Sequence, residues 1–111
     1  MKRQLVAILA CDVPAHSPSL SNYETETKES LQACFRFVRE SVADHNGRPF
    51  HSAKATLMAE FDNAVDAVRC ALALHEFTEE VNMGVIPDRQ LLMRIGVLLG
   101  DEFTLRKADD E

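Results

Sequence analysis

Two apolar runs stand near the ends of the chain, and a helical pattern lies between them. Residues 5–11 and 91–99 are almost continuously apolar and are bounded by polar residues, a pattern typical of β-strands that are buried on both faces. Residues 24–45 instead carry one apolar stripe at helical spacing, which predicts an amphipathic helix packed against a core. The stripe consists of Leu31, Cys34, Phe35, Val38 and Val42.

The middle of the chain predicts two short strands and a second helix. Arg48–Ser52 and Thr56–Phe61 have the length and composition of strands, and the few residues between them predict a tight hairpin. Asn63 is a candidate N-cap with Asp66 three residues later, a variant of the capping box, so the helix is predicted to run from there to about Val81.

The predicted order is therefore strand, helix, strand, strand, helix, strand. This order indicates an α+β fold of the ferredoxin-like βαββαβ type, in which two helices cover one face of an antiparallel sheet. We expect a single domain over residues 1–111, with its core at about 4–100 and a tail at 101–111 that frays after a short strand at 102–105. The first and last strands are the most apolar and are expected at the centre of the sheet. This fold hosts many functions and specifies none.

Charge and composition exclude some classes of partner. The chain of 111 residues has a net charge of −6, which disfavours binding to nucleic acid or to an anionic membrane surface. No apolar segment approaches the roughly 20 residues of a membrane span, and the first apolar run is too short for a signal peptide. Cys11, Cys34 and Cys70 are widely spaced within apolar segments and are expected to be buried free thiols, so we predict a cytoplasmic protein.

Four segments carry motifs of one enzyme family. They are Leu5–Val13 followed by Ser17, Asn46-Gly47-Arg48, Leu57–Ala71, and Met93–Val97 with Leu99-Gly100-Asp101. The third is the most specific: it reads Leu-Met-Ala-Glu-Phe, two residues, then Ala-Val-Asp-Ala-Val-Arg-Cys-Ala. In this order and spacing, the segments resemble the class III adenylate/guanylate (nucleotide) cyclase catalytic domain. The resemblance runs from about residue 4 to 101 and covers only the N-terminal portion of such a domain.

The resemblance implies a metal and nucleotide site that is only partly present. The family attacks the α-phosphate of ATP or GTP with the ribose 3′-hydroxyl, helped by two divalent ions on two aspartates. Asp12 matches the first aspartate, and the carbonyl of Val13 matches a backbone ligand beside it. Ala55 stands at the lost second metal position, since Lys54-Ala55-Thr56 replaces the family's Gly-Asp-Gly. His51 falls where the family has a lysine that reads adenine, and Lys54 is a candidate phosphate contact.

These departures predict a degenerate domain with no assigned catalytic residue. Loss of one metal aspartate costs on the order of 10³-fold in rate, and the family's transition-state Asn and Arg lie in a portion that the resemblance does not reach. We therefore expect an inactive module that dimerises or regulates cyclic-nucleotide signalling, paired with itself or with another cyclase-like chain. A nucleotide is its candidate ligand; no cofactor is expected, with residual Mg or Mn at Asp12 as the exception.

Two other functions remain open on the sequence. The chain can serve as a half-site subunit of an active cyclase in trans, converting ATP to cAMP and pyrophosphate with Asp12 as its share of the metal ligands. It can also be a ferredoxin-like sensor of a small ligand that has lost any link to nucleotides. The acidic residues Glu60, Asp62 and Asp66 are interpreted as strand-end solvation and helix N-terminal charge, without a functional role.

Overall fold

Four strands and two helices make up the part of the chain that the structure describes, residues 5–14, 24–53 and 55–101 of a computed structural model. In chain order they are β1 Leu5–Asp12, α1 Glu24–Asp44, β2 Arg48–Ala53, β3 Thr56–Phe61, α2 Ala64–Asn82 and β4 Arg94–Asp101, with a short 3₁₀ turn at Pro87–Arg89. The sheet order is β2-β3-β1-β4, and every neighbouring pair is antiparallel. The α+β, ferredoxin-like prediction is confirmed. Neither helix in these residues is long and apolar enough to cross a membrane.

Both helices pack on the same face of the sheet. The core on that face joins alternate residues of β1 and β3 to the stripe of α1 and to one side of α2. Its members include Ala7, Leu9, Cys11, Leu57, Ala59, Phe61, Phe35, Val38, Val42, Ala67, Cys70 and Leu74. The α1 stripe is thus confirmed, and a stack of Phe37 on Phe77, with ring centroids 4.1 Å apart, adds a contact between the helices.

The position of the last strand corrects the sequence prediction. β1 is buried on both faces as expected, because Val6 and Ile8 on one face are buried like Ala7 and Leu9 on the other. β4, however, begins at Arg94 rather than at residue 91, and it lies at an edge of the sheet instead of the centre. An apolar run indicates that a strand is buried, but it does not reveal which strands lie beside it. The tail strand expected at 102–105 lies outside the described residues.

The ends of the helices follow the local sequence signals. The side chain of Asn63 accepts a hydrogen bond of 2.9 Å from the backbone N–H of Asp66, which confirms the predicted cap of α2. α1 stops where Asn46 adopts a left-handed backbone, with φ of 66°, and the N–H of Gly47 donates to the carbonyl of Val42 at 2.8 Å. The stop at Asn46 leads directly into β2.

Close packing explains the glycine at the start of β2. A Cβ atom placed on Gly47 would lie 2.5 Å from Cε2 of Phe61 and 2.8 Å from Cγ1 of Val42. The chain therefore passes directly against the core at this point, and only a residue without a side chain fits there. This contact sets the position of β2, and with it the β2–β3 hairpin that borders the candidate site.

Candidate functional site

The candidate site residues lie on the face of the sheet that no helix of the described residues covers. Directly opposed residues of antiparallel strands point to the same face, so the register assigns each side chain to one side. The helix-free face, as we call this side, carries nine residues that matter below: Ala10, Asp12, Arg48, His51, Met58, Glu60, Arg94, Gly96 and Leu98. Asp12 and His51 thus share a face but are separated by β3.

Arg94 holds the carboxylate of Asp12. The two residues are directly opposed in the β1–β4 ladder, where Nε of Arg94 donates to Oδ1 of Asp12 at 2.9 Å and Nη2 donates to Oδ2 at 2.7 Å. The hydrogen bond to Asp12 raises the pKa of the Arg94 guanidinium further above its ordinary value. No role was predicted for Arg94 from the sequence, although this residue lies in one of the motifs. Antiparallel pairing of the first and last strands would have indicated its contact with Asp12.

The two metal positions implied by the resemblance are neighbours in the structure. The backbone N–H of Val13 donates to the carbonyl of Ala55 at 2.9 Å, so the hairpin lies directly beside the end of β1. Val13 is buried in the core, and Ala55 packs against the same core. The hairpin backbone therefore approaches the end of β1, but the side chain of Ala55 supplies no oxygen.

The candidate nucleotide contacts are only partly described. His51 is an exposed residue of β2, opposite Met58, which in turn lies opposite Ala10. Its imidazole is therefore accessible on the helix-free face, on the far side of β3 from Asp12. Lys54 lies outside the described residues, so its role as a phosphate contact stays a prediction.

A buried glutamate on the same face corrects one sequence interpretation. Glu60 is buried rather than solvated, and its Oε1 accepts a hydrogen bond of 3.0 Å from Nη2 of Arg48. The same guanidinium nitrogen donates to Oδ1 of Asp62 at 2.7 Å, and the bonds to Asp62 and Glu60 raise the pKa of Arg48. A buried carboxylate needs such a partner, because taking the charge out of water is costly. Asp66 serves the cap of α2, as its position predicted.

The residues present do not fit the two-ion site of the family. Both carboxylate oxygens of Asp12 accept hydrogen bonds from Arg94, and Ala55 offers no ligand atom on its side chain. The described residues contain no group of three or more His, Cys, Asp or Glu side chains that could hold a metal ion. A divalent cation prefers several oxygen ligands, and here one carboxylate that is already paired with a cation remains.

The three cysteines are separate from this face. Cys11, Cys34 and Cys70 are free and buried, as the sequence predicted. Burial raises the pKa of the Cys11 thiol to about 12 and that of Cys34 to about 11, and burial also raises the pKa of Cys70. Thiols of this kind are packing groups and not nucleophiles, since the reactive form is the thiolate.

Known proteins are similar to this chain in both sequence and fold. It is 37% identical over 102 residues to "Putative adenylate cyclase 3" of Rhizobium meliloti, a match that covers 91% of this chain and 17% of that protein. The chain therefore spans less than a fifth of this relative. No protein-family model matches the sequence.

Solved structures of cyclases are also similar to this chain, and the similarity covers a larger share of their length. The adenylate/guanylate cyclase/hydrolase from Silicibacter pomeroyi superposes with a TM-score of 0.78 at 27% identity, covering 90% of this chain and 59% of that one. A bacterial light-regulated adenylyl cyclase superposes with a TM-score of 0.77 at 18% identity, covering 91% and 56%, which is a likeness of fold alone. By sequence motifs, fold and these relatives, the chain is similar to part of a class III adenylate/guanylate cyclase domain.

Proposed function

We propose that this chain is a catalytically inactive cyclase-like domain that works as a dimerising or regulatory module in cyclic-nucleotide signalling. The observation that carries the proposal is the hairpin beside Asp12. The backbone of Ala55 lies within hydrogen-bond distance of Val13, where the resemblance places the second metal ligand, yet its side chain has no oxygen. At the position that the resemblance implies for the second ligand, the side chain offers no metal-binding atom.

The charge around Asp12 supports the same conclusion. In the family's reaction, two cations neutralise charge that develops on the phosphates, a contribution worth several kcal/mol of barrier height. Here the single carboxylate carries one negative charge, and the guanidinium of Arg94 already offsets it. A cation at this point would gain little attraction and would have to share the carboxylate with Arg94.

An assay of the purified chain tests the inactivity. We expect no cyclic nucleotide above the buffer background with ATP or GTP in the presence of Mn²⁺, under conditions in which a complete class III cyclase gives product. Activity that disappears in Asp12→Ala would contradict the proposal. An Asp12→Ala variant with unchanged product would instead identify a contaminating enzyme, because the activity would not depend on the site.

A second candidate function is favoured by the retention of Asp12 itself. Its side chain, 30% exposed, ends β1 beside the hairpin, where it can supply one metal ligand to a site shared with another chain. In this case the chain would increase product formation when mixed with a complete cyclase, and Asp12→Ala would remove the increase. The inactive module predicts that wild type and Asp12→Ala behave alike in the mixture.

Binding of a nucleotide without turnover is tested separately. His51 is exposed on the helix-free face and can hydrogen-bond a base. We expect ATP, GTP or a cyclic nucleotide to raise the melting temperature of the wild type and not that of His51→Ala. His75→Ala is the matched control, since His75 is an exposed histidine on α2. A melting temperature that no nucleotide changes favours the small-ligand sensor over the nucleotide site.

A further inference from the structure

The direction of the Arg94 side chain follows from the packing of its two neighbours. Met93 and Ile95 pack against the core on the helix side of the sheet, and side chains alternate between the two faces along a strand. Arg94 is the first residue of β4 and therefore points to the helix-free face, as does Asp12, which lies opposite it at the end of β1. The register of the two strands thus brings the guanidinium to the carboxylate.

The backbone that carries Arg94 is held on both sides. Asn82, the last residue of α2, binds both backbone groups of Leu91: its Nδ2 donates to the carbonyl at 2.8 Å, and its Oδ1 accepts from the N–H at 2.7 Å. Three residues later the chain enters the ladder with β1 at Arg94. Release of Asp12 therefore requires only rotation of the Arg94 side chain and no movement of the strand.

The ion pair is accessible to solvent and can be broken without unfolding the chain. The side chain of Arg94 is 62% exposed and that of Asp12 is 30% exposed. An exposed ion pair contributes little to stability, because water and dissolved ions compete for both of its charges. The contact between the two residues is therefore reversible, unlike the loss of an oxygen at Ala55.

The guanidinium lies where a cation on Asp12 would also have to lie. Nε of Arg94 donates to Oδ1 of Asp12 at 2.9 Å, and Nη2 donates to Oδ2 at 2.7 Å, so each carboxylate oxygen already faces a positive charge. A divalent ion on either oxygen would come close to the guanidinium, and like charges at such a separation repel. This repulsion disappears when the Arg94 side chain turns away, and the full charge of Asp12 is then available.

We propose that Arg94 is a built-in counter-ion that closes Asp12 to divalent cations, and that Asp12 keeps a cation affinity which this contact masks. The inference rests on the proposed function and deepens it, because the inactive domain then has two independent causes. One is the absent oxygen at Ala55, which the sequence fixes. The other is the occupied carboxylate, which is reversible. In a site shared with another chain, Asp12 would supply a metal ligand only after Arg94 has released it.

A manganese titration followed by nuclear magnetic resonance tests the masking. Bound Mn²⁺ broadens the backbone amide signals near it, so the signals of Asp12 and Val13 report weak binding without any assay of activity. In Arg94→Gln these signals should broaden at Mn²⁺ concentrations at least about fivefold lower than in the wild type, because glutamine carries no charge that repels or replaces the cation. No difference between Arg94→Gln and the wild type would overturn the proposal.

A conservative variant separates the charge of Arg94 from its two-point contact. Arg94→Lys keeps the positive charge but cannot hold both carboxylate oxygens in the geometry of a guanidinium. Its response to Mn²⁺ should lie between those of the wild type and Arg94→Gln. Circular dichroism checks that each variant is folded. If Arg94→Gln does not fold, a response of Arg94→Lys equal to that of the wild type would overturn the proposal.

Two control variants exclude an effect of net charge. Arg69→Gln removes the same charge from an exposed position of α2, on the other side of the sheet, and should respond as the wild type does. The double variant Asp12→Asn, Arg94→Gln lacks the carboxylate as well and should lose the gain. An equal gain in Arg69→Gln and Arg94→Gln, or a gain that persists in the double variant, would contradict masking of Asp12 by Arg94.

The outcomes separate this proposal from the proposed function. Arg94→Gln should still make no cyclic nucleotide, because Ala55 continues to lack an oxygen ligand. An inactive wild type together with an unchanged Mn²⁺ response of Arg94→Gln would overturn the masking and leave the inactive domain standing. A wild type that makes cyclic nucleotide would overturn the inactivity, and the difference in Mn²⁺ response between the two chains would still decide the role of Arg94.

Discussion

Asp12 and Arg94 are separated by 82 positions in the sequence and form a bidentate ion pair between the ends of β1 and β4. The pair lies on the face of the sheet that neither α1 nor α2 covers, at the point where the resemblance places a metal ion. Because both residues are accessible to solvent, the pair contributes little to stability. Its main consequence is electrostatic: a fixed cation neutralises the one carboxylate that the site retains.

Restoring the missing ligand should create a weak cation site. Ala55→Asp adds a carboxylate on the hairpin whose backbone contacts Val13, the residue that follows Asp12. We expect Mn²⁺ to raise the melting temperature of Ala55→Asp and to leave that of the wild type unchanged. Electron paramagnetic resonance of the free Mn²⁺ measures the binding directly.

The control for this prediction is the double variant Asp12→Asn, Ala55→Asp. It has the new carboxylate but lacks the original one, and it should bind Mn²⁺ as weakly as the wild type. If the wild type already binds Mn²⁺ stoichiometrically at micromolar concentrations, the conclusion that its residues do not fit a metal ion is wrong.

Gly47 should tolerate no side chain. Gly47→Ala would place its Cβ 2.5 Å from the ring of Phe61, which is fully buried and cannot move aside without disturbing the core. Overpacking of this kind typically costs about 1–3 kcal/mol of the free energy of unfolding. Urea denaturation followed by circular dichroism measures the loss.

Gly96→Ala, in β4, is the matched glycine substitution. A Cβ on Gly96 meets nothing within 4 Å, so this variant should be as stable as the wild type or slightly more stable. Equal destabilisation by the two alanines would show that the effect comes from the loss of a glycine as such and not from the contact with Phe61.

Stability should fall in alkaline solution because of the buried thiols. The pKa of Cys11 is about 12 and that of Cys34 about 11 in the folded chain, against an ordinary value of 9.0. Above pH 9 the unfolded state loses these protons and the folded state keeps them, so rising pH favours unfolding. The thiol contribution is fully present below pH 9 and declines by up to about 1.4 kcal/mol per pH unit for each thiol as pH approaches the folded values.

Urea midpoints between pH 8 and 10.5, in the presence of a reductant, measure this slope. Cys11→Ala lowers the stability at every pH by leaving a cavity, but it should also reduce the slope, because one of the titrating groups is gone. A slope that is the same in wild type and in Cys11→Ala would assign the alkaline loss to other groups.

Asn82 should hold the segment between α2 and β4. Its Nδ2 donates to the carbonyl of Leu91 at 2.8 Å, and its Oδ1 accepts from the N–H of Leu91 at 2.7 Å. Asn82→Ala removes both bonds and should lower the free energy of unfolding by about 1–3 kcal/mol. Asn82→Asp keeps the acceptor and loses the donor, so its stability should lie between that of the wild type and that of Asn82→Ala. Thermal denaturation at pH 7 ranks the three chains, and an unchanged midpoint for Asn82→Ala would refute the role.

Several elements were predictable because their causes are local. The cap at Asn63 depends on a side chain that reaches a backbone N–H three residues away, and the stripe of α1 depends on spacing along one helix. The left-handed stop at Asn46 is likewise set by adjacent residues. In each case the interacting groups are close in sequence, so the local sequence pattern is enough to predict the structure that it produces.

The errors concern contacts between distant segments. β4 was predicted at the centre of the sheet and lies at its edge, since a strand's neighbours depend on chain topology rather than on its own residues. Glu60 was interpreted as solvated and is buried against Arg48, twelve positions away on the neighbouring strand. Periodicity along one strand cannot reveal either relationship.

The sequence by itself determined the fold class, the resemblance to a cyclase domain and the absence of a side-chain oxygen at residue 55, because each depends on residue identity in order along the chain. Only the tertiary structure decided that Ala55 lies beside Val13 and that Arg94 holds Asp12. These are consequences of strand order and register. Burial of the apolar sides of both helices against one face of the sheet stabilises this strand order and register. Residues throughout the chain contribute to that burial.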